Sequence, residues 1–259
     1  MAKESSTDMG RELEGIYALW KRELITFFRS KSRLIGSLGM PFFFLAILGT
    51  GLGTVLPLPQ GGSYLQFIAP GVIGMILMFT SVFSGIIVIM DRQFGFLKET
   101  LVAPISRFSV VAGKALGGAT TAMVQGIIIL IMAILLGAQI QIANVVLLLA
   151  FMFLISLMFV SIGITIASVM QDMHGFQLIT NFLIMPMFFL SGGLFPLSSA
   201  PGILKFFSTI DPLTYGVDGL RYLLTGFSQV GFSISLLVVG GLTALFITIA
   251  MRSFSRIEE

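Results

Sequence analysis

Two stretches of 57 residues each, 34–90 and 115–171, contain no Asp, Glu, Lys or Arg. Either one is far too long for a single membrane crossing. Each fits two crossings of about 20 residues joined by a neutral connector. Only 10% of the 259 residues are charged, against about 25% in soluble domains, so the chain reads as an integral membrane protein. The spans read as helices, because barrel strands alternate apolar and polar residues and residues 126–136, GIIILIMAILL, do not alternate. There is no cysteine, which removes disulfides and thiolate metal sites. The basic residues cluster beside apolar segments, and no nucleic-acid partner is expected.

Breakers and charges divide the rest. Residues 1–10 read as a polar lead. From Arg11 an amphipathic helix carries Leu13, Ile16, Tyr17, Trp20, Leu24, Phe27 and Phe28 on one stripe, with Lys and Arg off it. Such a helix suits the headgroup plane, and residues 1–33 are too polar to supply a cleavable signal. Six spans follow at about 34–56, 67–90, 115–136, 142–170, 176–194 and 232–251. Residues 34–259 thus form one transmembrane domain. The segment 195–230 is broken by Pro196, Pro201 and Pro212 and carries Lys205, Asp211, Asp218 and Arg221. It reads as a re-entrant helical hairpin. The fold class is all-α integral membrane: six transmembrane helices, an interface helix, a short helix between the second and third spans, and the hairpin.

Six spans put both termini on one side. With the termini inside, the inner segments hold thirteen Lys and Arg and the outer ones only Lys205 and Arg221. The positive-inside rule therefore predicts cytoplasmic termini and an external hairpin. Between the two charge-free blocks lies a polar island, Asp91 to Lys114. Arg92, Gly95 and Glu99 recur at helical spacing until Pro104 stops the pattern. A helix of this kind could dock in a groove of a partner, or be a solvated loop.

The chain offers little chemistry of its own. His174 is the only histidine, and Gly113-Lys114-Ala115 lacks both the upstream glycine and the Ser/Thr of a phosphate-binding loop. No ionisable group falls inside the expected spans, whereas proton- and ion-coupled carriers usually place one there. Driving energy is expected from outside the chain, and neither enzyme activity nor a cofactor is expected within it. Met185, Met187, Phe188 and Phe189 near the break of the fifth span are candidates for an apolar wall that tolerates varied shapes.

The arrangement Asp91-Arg92-x-x-Gly95…Leu101-x-x-Pro104 resembles the cytoplasmic coupling segment of ABC-2 type exporter permeases. So does the later run of Ser191-Gly192-Gly193, Ala200-Pro201, Pro212-Leu-Thr-Tyr215 and Arg221, which is similar to that family's C-terminal signature. The resemblance covers nearly the whole chain. Gln93 and Phe96 depart from it, standing where many relatives carry an acidic and a small polar residue, which bears on which nucleotide-binding partner fits.

The resemblance implies a permease subunit in the cell membrane, paired with a second permease copy as a homo- or heterodimer. It also implies a separate ABC ATPase subunit that holds ATP and Mg²⁺. Asp91, Arg92, Gly95, Glu99 and Pro104 would couple to that ATPase, and Pro212, Tyr215 and Arg221 would cap the outer side. The cargo expected is a hydrophobic or amphipathic drug or lipid-like molecule. A polysaccharide or lipo-oligosaccharide is the alternative within the same fold, and a secondary carrier the alternative outside it. Gly36, Gly39, Gly113, Gly117, Gly118 and Thr121 could seat a second copy or pack helices within one subunit.

Overall fold

The computed structural model describes residues 2–51, 63–96, 100, 105–138, 145–197 and 201–255, with side chains omitted for 2–8 and Arg33. Glu99, Pro104 and residues 52–62 of the expected first span and turn lie outside the described residues. The helices are α1 (Ala2–Arg29), α2 (Lys31–Phe43), α3 (Tyr64–Phe83), α4 (Ile86–Gln93) and α5 (Arg107–Leu135). They continue as α6 (Val145–Val169), α7 (Met173–Leu190), α8 (Gly202–Ile210), α9 (Pro212–Thr225) and α10 (Phe232–Ser255). No strand occurs among the described residues.

Five helices are long and apolar enough to cross a membrane: Tyr64–Gln93, α5, α6, α7 and α10. A sixth candidate joins Met9–Arg29 to Leu34–Gly49, two pieces bent by 71° to each other. α2 passes directly into a π-helical stretch, Phe44–Gly49. Pro41 lies just before it and cannot donate a helical hydrogen bond, and such a gap is a common place for a helix to widen.

α3 sits at the centre, packed by α5, α6 and α9, whereas α7 and α10 are the least covered. Glycines permit that crowding at two crossings. A Cβ on Gly85, in the break between α3 and α4, would lie 2.4 Å from the Gly163 carbonyl oxygen on α6. A Cβ on Gly71 would lie equally close, 2.4 Å, to the carbonyl oxygen of Gly193. The Ser191-Gly192-Gly193 turn is thus pressed against the first part of α3. The hairpin is held to the same place. Arg221 Nη2 donates to the Gly192 carbonyl at 2.8 Å, and its guanidinium stands 4.5 Å from the Phe67 ring centroid. Tyr64 Oη donates to the Leu194 carbonyl at 2.8 Å. Asp211 caps α9 ahead of Pro212, and Tyr215 Oη donates to the Thr209 carbonyl at the end of α8, 2.8 Å away.

Two expectations change. α5 begins at Arg107, eight residues before the expected span, because the Ser106 side chain caps it by accepting from the Ser109 N–H. The island does not continue as one helix through Arg92 and Gly95. Gly95 adopts φ +83, a left-handed conformation that stops α4.

The close approach where the end of α3 crosses α6 predicts a steric result. Gly163→Ala places a methyl 2.3 Å from the Val82 carbonyl oxygen and is expected to cost about 1–3 kcal/mol by overpacking. Gly240→Ala on α10, where nothing lies within 4 Å of the new Cβ, should leave the unfolding midpoint in detergent unchanged or raise it. Equal losses in both would mean that the crossing is not tight.

Candidate functional site

Two features could carry function: a cluster of charges at one end of the bundle, and a cavity that opens beside it. The charged cluster is built by three helices. Asp91, near the end of α4, accepts hydrogen bonds from the Arg22 guanidinium of α1 and from the Lys114 ammonium of α5. Lys114 also stands 3.9 Å from Glu23 of α1. Asp91, Lys114 and Glu23 are 4%, 5% and 7% exposed, so most of this cluster is shut off from water. A buried charge is tolerated only when paired, and here one carboxylate serves two cations. Lys114, counted from sequence among the aqueous charges, is therefore an interior residue.

Glycines bring α1 close enough for these contacts. Gly113 and Gly117 of α5 face Leu19 and Glu23, with no room for a larger side chain unless α1 shifts. Gly118 packs on Ser84 and Val160, so these three glycines are occupied within the chain. Gly36 and Gly39 on α2 have nothing within 4 Å. Trp20 Nε1 donates to Thr120 Oγ1 at 3.0 Å and fixes the same pair of helices. Meanwhile Met9, Leu13, Tyr17 and Phe28 remain exposed along α1. The helix thus has one face for α5 and an apolar stripe left free.

Farther along α1, the Glu12 carboxylate accepts from the Ser106 N–H (2.8 and 3.0 Å to its two oxygens), from Ser106 Oγ at 2.8 Å, and from Ser109 Oγ. It is a cap for α5 supplied from another helix, and negative charge there also suits the helix dipole. The hydroxyls of Ser109 and Ser106 hold the Glu12 carboxyl below its ordinary value of 4.5.

Three further polar side chains of the island bond to backbone carbonyls of neighbouring segments. The Arg92 guanidinium donates to the Met170 carbonyl, and Gln93 Nε2 donates to the Gln171 carbonyl at 3.1 Å. Both acceptors lie in the turn between α6 and α7, where helix-end carbonyls lack partners. Arg107 donates to the Ser255 carbonyl at the far end of α10. The island, α1, the α6–α7 turn and the end of α10 therefore meet at one end of the bundle.

The cavity, about 410 Å³, lies among α1, α2, α3, α5 and α7. Met185, Phe188 and Phe189 line it; Met187 does not. Phe44, from the π-helical stretch, meets Phe188 edge-on at 5.8 Å between centroids. A cluster of polar side chains interrupts the apolar wall. Gln125, 1% exposed, donates from Nε2 to Ser37 Oγ at 2.7 Å and accepts from Thr80 Oγ1. It links α5 to α2 and α3. Sequence reading passed over Gln125, although a lone amide within an apolar run is a visible signal, since it needs a partner inside the membrane. Among the described residues, no group of three or more His, Cys, Asp or Glu could hold a metal ion.

Comparison with known proteins gives a consistent result. Residues 14–225 match the family described as ABC-2 type transporter. The chain is similar to the protein named transport permease ycf38 in Cyanophora paradoxa, 29% identical over 226 residues, covering 85% of this chain and 78% of that one. It is also similar to Nodulation protein J of Rhizobium meliloti (strain 1021), 26% identical over 239 residues, covering 90% and 91%. Inner membrane transport permease YadH of Escherichia coli (strain K12) is 24% identical over 220 residues, covering 82% and 84%.

Two outcomes follow from the charged cluster. Asp91→Asn leaves the buried Lys114 with only the more distant Glu23 carboxylate, 3.9 Å away, and is expected to cost about 2–4 kcal/mol, read as a lower unfolding midpoint. Adding Lys114→Met should restore much of that loss, whereas additive losses would mean that the two are not coupled. For Glu12, whose folded value is depressed, the cap is complete above about pH 4.5 and is lost as pH falls through the lowered value. Protection against hydrogen exchange at the start of α5, taken relative to the intrinsic rate at each pH, should therefore fall on acidification, and Glu12→Gln should abolish that pH response.

Proposed function

Since the chain belongs to the ABC-2 type transporter family and is a membrane subunit of an ABC transporter, we propose that it works as the permease of an ATP-driven exporter. Two copies, identical or not, form the pathway, and separate ATPase subunits hold ATP and Mg²⁺. The island end, with both termini, faces the cytoplasm, and the α8–α9 hairpin faces outward. The excess of Lys and Arg at that end supports this orientation. The membrane is the cell membrane, crossed several times.

The observation that carries this reading is the cavity. Its wall of Met40, Met75, Met185, Phe79, Phe188 and Phe189 is apolar and adaptable. It therefore suits a hydrophobic or amphipathic cargo, drug or lipid-like. Its exposed rim residues, Met40, Met185 and Phe189, stand on α2 and α7, beside the open glycines of α2. A second copy would close the pathway along that side. The Gln125–Ser37–Thr80 cluster favours one further reading, a cargo with a glycan or other hydroxylated head of the polysaccharide or lipo-oligosaccharide kind. α1 lies in the headgroup plane, its exposed apolar stripe against lipid.

Reconstitution with the ATPase subunit tests the proposal. Proteoliposomes holding both subunits should move a fluorescent amphipathic dye only when ATP and Mg²⁺ are supplied. Met185→Trp, which fills the cavity, should slow that movement by about tenfold, roughly 1.4 kcal/mol on the barrier. Dye movement that persists without ATP would overturn the ATP-driven reading in favour of a carrier.

A further inference from the structure

The cavity is polar at one end and apolar at the other. Along α3 its lining runs from Ser84, the C-cap, back to Met75, about 14 Å of helix. Glu23 and Ser84 mark one end, each packed on a glycine of α5, Gly117 and Gly118. Phe83, next to Ser84, meets Phe176 at the start of α7, with ring centroids 6.4 Å apart. Past the other end of α7, Gly193 presses on Gly71 of α3. α7 therefore runs back along α3, and Met185 and Phe188 lie more than two turns beyond the Glu23 end. Of the described residues that line the cavity, Glu23 alone is charged.

We propose that Glu23 selects the cargo by charge: it binds the cationic head of an amphipathic molecule, an ammonium that carries N–H groups, while Met75, Met185 and Phe188 hold the apolar tail. The proposal rests on the reading of this cavity as the cargo's place and narrows the cargo to one class. Three features support it. Lys114 stands behind the carboxylate, 3.9 Å from it, and lines a separate void of about 10 Å³ with Glu23 and Ser84 rather than the cavity. Asp91 takes the direct contacts of Lys114 and Arg22, which draws both cations to the far side. A cargo entering the cavity therefore meets negative charge first, where little water screens it. The neighbouring hydroxyls have the same preference. Thr26, Ser84 and Thr121 each give their proton to a carbonyl of their own helix, at 2.8, 2.7 and 2.8 Å. What these hydroxyls have left to offer a cargo is acceptors, which suit an ammonium and leave an anion without donors. The volume of about 410 Å³ is that of a site for one drug-sized molecule.

The test is equilibrium binding to the full chain reconstituted with its ATPase subunit in phosphatidylcholine vesicles, with protein-free vesicles subtracted. Three dansyl-labelled alkyl probes of equal chain length are compared, ending in a primary ammonium, in its uncharged N-acetyl form and in a carboxylate. The wild type should bind the ammonium probe about tenfold or more tighter than the acetylated one, and the carboxylate probe most weakly. Glu23→Gln should erase the preference for the ammonium, and Glu23→Asp, which keeps the charge, should retain part of it. A Glu23 that served only to hold Lys114 would lower the unfolding midpoint on substitution and leave the ratio of the two affinities unchanged. That ratio surviving in Glu23→Gln would overturn the proposal, as would a wild type that ranks the three probes alike, a result that needs no variant to fold. Either outcome leaves the cavity as the cargo's place. If Met185→Trp, which fills the cavity, leaves the binding of all three probes unchanged, the cargo sits elsewhere and both readings fall.

Discussion

One carboxylate organises the end of this molecule where three of its helices meet. Asp91 is buried, and two cations from two different helices point at it. Neither Lys114 nor Asp91 could occupy its place alone, because an unpaired charge away from water is too costly to keep. α1, α4 and α5 consequently hold one another in register. The glycines of α5 let α1 approach, the ion pairs keep it there, and Glu12 binds the start of α5 from the same helix. One face of an amphipathic helix is thereby tied to the bundle while its apolar stripe stays exposed.

The opposite end is held by different means. Arg221, also buried, has the Gly192 carbonyl and the face of Phe67 for partners, and Asp218 gathers the loop after α9 by accepting from the Gln229 N–H and from the Ser228 and Ser235 hydroxyls. Between the two ends a neutral polar link stands at the cavity, the Gln125 amide between Ser37 and Thr80. Charge stays near the boundaries of the hydrocarbon and amides and hydroxyls serve its interior, as the cost of burying each group dictates. The cavity can therefore be apolar without leaving its walls unconnected.

Much of the fold could be read from the chain itself. The charge-free blocks demand helical spans because hydrocarbon penalises every unpaired backbone group, and the prolines and glycines of 195–230 mark a segment that turns back. Burial was harder to read. Lys114 lies next to polar residues in sequence, and nothing in that neighbourhood says that its partners come from residues 22–23 and 91. Ser191-Gly192-Gly193 stood out as a pattern, yet the reason for Gly193 is the Gly71 backbone, more than a hundred residues away in the chain. For the island, periodicity gave two faces but not which of them would be turned inward. That depended on Met170 and Gln171 offering carbonyls at the right distance. Gln125 was legible and was missed.

The π-helical stretch beside the cavity has a consequence of phase. A wide turn holds one residue more than the α-helix around it, so the residues on its two sides are out of step. Passing that extra residue to a neighbouring turn would rotate the segment between by about 100°, one residue's angular step, with no helix unwound. Phe44 stands at the start of the stretch, facing Phe188, while Ser37, one turn before Pro41, stays pinned to Gln125. The wall of the cavity thus joins a part fixed by an amide to a part whose facing is set by the phase of the wide turn.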